Sequence, residues 1–298
     1  MILRHPSRTN DFITYFDKVE RIYRLLSRKK QAEANGYLSI YGKAARTVYE
    51  SFIFGCWPRE TSPTILTIRI AMAIVLITGA TGGLGRSVTQ QFLQGGHTVV
   101  AAVRDLQTMP TQEGLHPYTL DVSDEQACRQ FVDNTVAEHG AIDVAVLLVG
   151  GFAMGTLLDT DYAAVEAQLK INFQSAYQVA RPVFEQMSQQ PNGGRIVLIG
   201  SRPALDPTAG QHVVAYALSK SLVNSLADLI NAAGKKKNVV ATVVAPSTID
   251  TPSNRKDMPD ADYKTWINPA ELAEMIAFVS LGAGKTLREP ILKAYGQA

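Results

Sequence analysis

Cysteine is scarce in this 298-residue chain: Cys56 and Cys128 stand alone, with no CxxC pair and no Cys/His cluster. That excludes a disulfide framework and a zinc site and fits a reducing compartment, so a cytoplasmic location is expected. Long apolar runs are lacking too. Arg69 breaks the longest candidate, Ile65 to Ala80, before it reaches the roughly 18 residues that a membrane span needs. The N-terminus lacks the charged, apolar and cleavage regions of a secretory signal. Net charge is only +2, unevenly spread: residues 1–71 hold 12 Lys/Arg against 6 Asp/Glu, and the remainder 17 against 21. The basic excess is interleaved with acids rather than gathered in a block, which argues against a nucleic-acid or membrane-surface role. There is no internal repeat or low-complexity tract. A 46% hydrophobic content at this length is ample for one large domain, or a domain with an appendage.

The pattern changes near Met72. Before it the chain is basic and aromatic, with Phe12, Phe16, Val19, Ile22, Tyr23 and Leu26 at helical spacing behind a possible cap at Asn10 or Asp11. Residues 1–71 read as a targeting or membrane-surface extension, a partner-binding helical arm, or a stretch upstream of the working protein. Acidic Asp11, Asp17 and Glu20 weaken the first reading, and the place of Met72 just before a strand favours the last. From Ala73 onward short β-branched runs alternate with helical stretches. Strands are expected at 73–78, 97–103, 116–120, 143–149, 195–200, 238–245 and 289–294, and helices near 83–94, 123–139, 160–189, 212–233 and 269–281. This is the arrangement of a doubly wound α/β domain, a seven-stranded parallel sheet of Rossmann type over residues 72–298.

Between the first strand and helix lies TGATGGLG, residues 78–85. Gly79, Gly83 and Gly85 permit a tight turn and close approach of a pyrophosphate, while the helix N-terminus directs free N–H groups at the anion. Thr81 and Leu84 complete that candidate cradle. The second strand ends in Arg104 and Asp105, where an acidic residue accepts from a ribose 2′-hydroxyl and an arginine accommodates a 2′-phosphate. Arg104 comes first, which favours NADP(H) over NAD(H). Asp121 and Val122, in LDVSD, fall where the adenine edge would lie, although Asp121 could instead cap the next helix, as could Ser123 or Asp124.

Tyr216 and Lys220 stand four residues apart on a helical stretch, so both side chains share a face. An ammonium beside a phenol favours the phenolate, making the pair a candidate acid and base. Taken in order, TGATGGLG, LDVSD, Asn172, Ser201, YALSK and the segment from Pro246 resemble the short-chain dehydrogenase/reductase family across residues 72–298. The resemblance implies proton transfer by Tyr216, a Lys220 that holds the nicotinamide ribose and lowers the tyrosine pKa, a Ser201 that hydrogen-bonds the substrate carbonyl or hydroxyl, and an Asn172 that helps hold a relay water. It further implies cofactor contacts at Gly150, Lys220, Pro246, Ile249 and Thr251, a small carbonyl or alcohol substrate, and a homodimer or homotetramer built on the helices at 160–189 and 212–233. No metal is called for. The competing reading is a non-catalytic NADP(H)-binding sensor or scaffold.

Three departures bear on substrate. Leu147-Leu148-Val149-Gly150-Gly151 replaces the family's Asn-Asn-Ala-Gly run, as in members resembling dihydropteridine reductase, which admits pteridine-like substrates. Tyr216 lies 15 residues after Ser201, about two more than is usual, and Pro246 is followed by Ser247 instead of glycine. His212, one turn before Tyr216, reads as an ordinary residue of the helix start. The polar stretch Ser247 to Asn268 has the length of a lid, with Met258, Tyr263 and Trp266 available for apolar contact, or is a surface excursion packed by those residues.

Overall fold

The computed structural model describes residues 72–297; the readings made for residues 1–71 lie outside them. Seven parallel strands form one sheet in the order β3-β2-β1-β4-β5-β6-β7. They are β1 (Ile74–Thr78), β2 (Thr98–Val103), β3 (Leu115–Thr119), β4 (Val144–Leu147), β5 (Gly194–Ile199), β6 (Val239–Pro246) and β7 (Ile291–Ala294). A parallel sheet is covered on both faces, so its strands read as continuous Val/Ile/Leu runs rather than alternations, and β2 and β6 are buried along their whole lengths. Pro117, which cannot donate to a ladder, sits on the edge strand β3.

Strand alternation sends Val75 and Ile77 to one face and Leu76 to the other. On the first face, α1 (Gly83–Gln94) and α8 (Pro269–Ser280) pack Val88, Phe92, Leu272 and Ile276 against the sheet. On the second, α2 (Glu125–His139), α4 (Ser175–Gln189) and α6 (Val214–Gly234) contribute Phe131, Val183 and Leu226.

Boundaries differ from expectation where local chemistry intervenes. Asp124, not Ser123 or Asp121, caps α2 by accepting from the Ala127 N–H. The expected single helix 160–189 is three pieces: α3 (Tyr162–Gln168), a π-helical turn over Leu169–Gln174, and α4. Short helices α5 (Pro207–Gly210) and α7 (Pro252–Asp257) occupy the two long connections, and the Ile249 to Ile267 bridge closes the base of the second.

At the N-terminal ends of the strands, Arg195 is buried and donates to the carbonyls of Gly194, Asn238 and Lys285 at 2.9 Å each. Asn238 holds φ +52°, a left-handed conformation that an asparagine tolerates. Cavities of about 250 and 310 Å³ lie around these residues and Arg288. The strand order reverses between β1 and β4 at the opposite, C-terminal edge, and that is where open α/β sheets bind ligands.

Candidate active site

The loop from β1 to α1 turns at Gly79, whose φ of +68° favours glycine, and the Gly82 N–H closes the turn on the Gly79 carbonyl at 3.0 Å. A side chain at Gly85 would collide with that same carbonyl. One at Gly83 would come within 2.6 Å of Thr251 Cγ2, so the segment after β6 lies directly over the start of α1. Helix α1 carries no side-chain cap and no acidic residue in its first turn, leaving its N-terminal N–H groups open to an anion. Thr81 is half-buried beside them, and Leu84 packs into the core beneath.

Arg104 follows β2 directly and is exposed. Asp105 is occupied: its carboxylate accepts from the Gln107 N–H at 2.9 Å and caps a 3₁₀ turn. Asp121 accepts from the Ser123 N–H and hydroxyl through Oδ1, and the backbone bond first, then the hydroxyl, holds its carboxyl below the usual range. The Val122 carbonyl meets Cys128 Sγ at 3.7 Å.

At the other end of the cleft, Gly150 and Gly151 form the wall after β4. A Cβ on Gly150 would lie 2.7 Å from Asn172 Oδ1 and 3.3 Å from Lys220 Nζ, so only glycine lets these three meet. Asn172 sits in the π-helical turn, which re-aims it toward this wall. Its Oδ1 accepts from the Gly151 N–H at 3.0 Å; the two hydrogens on its Nδ2 are shared among three acceptors, the Gly151 carbonyl and Gln168 Oε1 at 3.0 Å and Ser219 Oγ at 3.1 Å. Both polar atoms of the Asn172 side chain thus have protein partners. Gln168 and Ser219, which the sequence reading missed, complete the network; nothing in their spacing marks them.

Lys220 is buried with Nζ donating to the Ile199 carbonyl at 2.8 Å, and burial lowers its pKa to about 8. Tyr216 is half-buried with its ring centroid 6.0 Å from Nζ. Its phenol pKa is raised: desolvation outweighs the opposing pull of Ser201, and Lys220 makes no resolved contribution. The lowering expected from Lys220 is not among the causes of this shift. Ser201 is buried beside the phenol with an Oγ that completes no hydrogen bond; its proximity biases Tyr216 without forming a bond of good geometry. A buried hydroxyl without a protein partner next to a phenol leaves two groups able to hydrogen-bond one incoming oxygen.

Pro246 ends β6. The Ile249 carbonyl accepts from Asn254 Nδ2 at 2.8 Å, and Thr251 caps α7. His212 is exposed and contributes its carbonyl to the Gly155 N–H. Phe152, also missed, sets its ring edge against Tyr216 at 5.1 Å between centroids. Among the described residues there is no metal-ligating cluster and no helix long and apolar enough to cross a membrane.

This glycine turn, switch-point cleft and Ser/Tyr/Lys group coincide with a match to the short chain dehydrogenase family model over residues 73–262, and the chain belongs to that family. It is 31% identical over 186 residues to oxidoreductase EphD of Mycobacterium tuberculosis, covering 60% of this chain and only 31% of that longer protein. It is 28% identical over 232 residues to 3-oxoacyl-[acyl-carrier-protein] reductase FabG of Thermotoga maritima, covering 72% and 92%. The solved structure of ElxO with NADP bound superposes with a TM-score of 0.70 at 22% identity, covering 76% of this chain and 98% of that one.

Proposed function

We propose that this oxidoreductase moves a hydride between NADP(H) and a carbonyl or alcohol carbon of a small molecule, with Tyr216 as the proton donor or acceptor. The observation that carries the reading is the unpartnered, buried Ser201 hydroxyl beside a desolvated Tyr216 phenol. A sensor or scaffold gains nothing from that costly pairing. NADP(H), when bound, supplies or accepts the hydride. Ser201 donates to the substrate oxygen, Tyr216 passes it a proton, and Lys220 would hold a ribose hydroxyl of the cofactor and stabilise the phenolate. Asn172 keeps the glycine wall in register. The open start of α1 with Gly79, Thr81, Gly83, Leu84 and Gly85 would hold the pyrophosphate, Asp121 and Val122 the adenine, and Gly150, Pro246, Ile249 and Thr251 the nicotinamide end.

Arg104 supports NADP(H): it is exposed at the end of β2 while the neighbouring carboxylate is engaged as a cap. The similar structure of ElxO has NADP bound, and Arg104 would pair with a 2′-phosphate here. Fluorescence titration tests this directly. NADPH should bind at least about tenfold more tightly than NADH, and Arg104→Ala should erase the difference; tighter NADH binding would overturn it. Residues 72–298 are read as the catalytic unit, in a cytoplasmic homodimer or homotetramer packed through α4 and α6, whose Tyr177, Leu218, Leu222 and Leu229 are exposed. Light scattering showing a monomer at micromolar concentration would refute the assembly.

A further inference from the structure

The segment Gly150 to Leu158, GGFAMGTLL, holds no charged residue, yet it borders the candidate catalytic tyrosine and faces solvent. Phe152 is 61% exposed, Met154 73% and Leu158 96%. Its position is fixed. Gly155, at φ +156°, bridges to Val213 in parallel: its N–H donates to the His212 carbonyl at 2.8 Å, and its carbonyl accepts from the Val214 N–H at 3.0 Å. That bridge ties the loop to the first turn of α6, two residues before Tyr216. Phe152 then meets the Tyr216 ring edge-on, at 5.1 Å and 69°. On the inner side, a Cβ on Gly151 would press on Ile171, itself 40% exposed, so the apolar strip continues past the glycine wall. Thr156 supplies the one hydroxyl of the strip, and it is engaged with Asp159. The strip offers a polyhydroxylated substrate no charged side chain, whereas a hydrocarbon chain leaving a carbonyl held by Ser201 and Tyr216 would cover its apolar side chains. Exposed apolar area that touches a reactive side chain marks a ligand surface.

We propose that Phe152 and Met154 form a specificity wall selecting carbonyl compounds that carry a linear alkyl or acyl chain. The proposal rests on the reductase reading of the same site. Phe152 packs its ring edge against the Tyr216 ring, whose phenol pKa is raised chiefly by burial.

The test uses the full chain with NADPH and 2-alkanones from butanone to 2-decanone, with D-glucose as the polar control. In the wild type, kcat/KM should rise about two- to fourfold per added methylene until the chain outgrows the strip, mostly through KM. In Phe152→Ala and Met154→Ala the slope should flatten, so that 2-decanone loses at least about tenfold more than butanone, and Phe152→Leu should restore most of it. The alkaline limb of the pH profile should move to lower pH in Phe152→Ala, as water reaches the phenol. A flat series, a preference for glucose, or an unchanged slope in both alanine variants would overturn the wall. So would loss of oligomer mass in Phe152→Ala with the slope retained, because the strip would then be covered by a second copy. Absence of turnover with every carbonyl, despite NADPH binding, would strike the reductase reading itself.

Discussion

Ser201 hides a hydroxyl that no protein group satisfies, a condition costing about 1–3 kcal/mol. Ser201→Ala should therefore leave the apo protein as stable as wild type or up to about 1 kcal/mol more so, by urea unfolding, while kcat/KM falls about 100-fold. Lys220 carries a cost of the same origin. Its folded pKa of about 8 lies below the ordinary 10.5, so between those values the unfolded chain binds the extra proton and stability rises with pH. Cys128 works against it: burial pushes the thiol up to about 11 from 9.0, so its contribution falls as pH rises above 9. Apo wild type should gain stability from pH 8 to 9 and then level off. Lys220→Met should lose the initial gain and decline above pH 9, measured by urea midpoints; the same rise in both proteins would contradict the assignment. Tyr216, Lys220 and the glycines were legible because their spacing along a helix or turn encodes the juxtaposition. Phe152, Gln168 and Ser219 were not, since they reach the site through tertiary contacts.

At the scale of elements, the turn into α1 and the segment after β6 form one unit through Gly83 and Thr251. Gly83→Ala should weaken NADPH binding about tenfold or more, and Thr251→Ser, which removes the offending methyl, should recover part of the loss in the double variant. Gly85→Ala should not be rescued, because its obstruction is the Gly79 backbone. Fluorescence titration of the four proteins distinguishes these outcomes. The strands were readable because burial on both faces demands unbroken Val/Ile/Leu runs. The π-helical turn was not readable: one extra residue in the ladder scarcely disturbs apolar periodicity, yet it aims Asn172 at Gly150 and Gly151.

For the molecule as a whole, the sheet separates its two ends by task. Cofactor and substrate candidates gather at the C-terminal edge, whereas Arg195 ties the N-terminal ends of β5 and β6 to the Lys285 carbonyl. Arg195→Met should remove about 2–4 kcal/mol of stability, since it strips buried acceptors of a charged donor, with NADPH affinity at 25 °C within about twofold of wild type. A loss of affinity without a loss of stability would show that the ends are not separable. The central claim concerns Tyr216, and the most direct measurement is NADPH oxidation by Tyr216→Phe beside wild type with a carbonyl the wild type reduces. The rate should drop by a factor of about 1,000 or more while NADPH affinity stays within about twofold. Equal rates in the two proteins would contradict it.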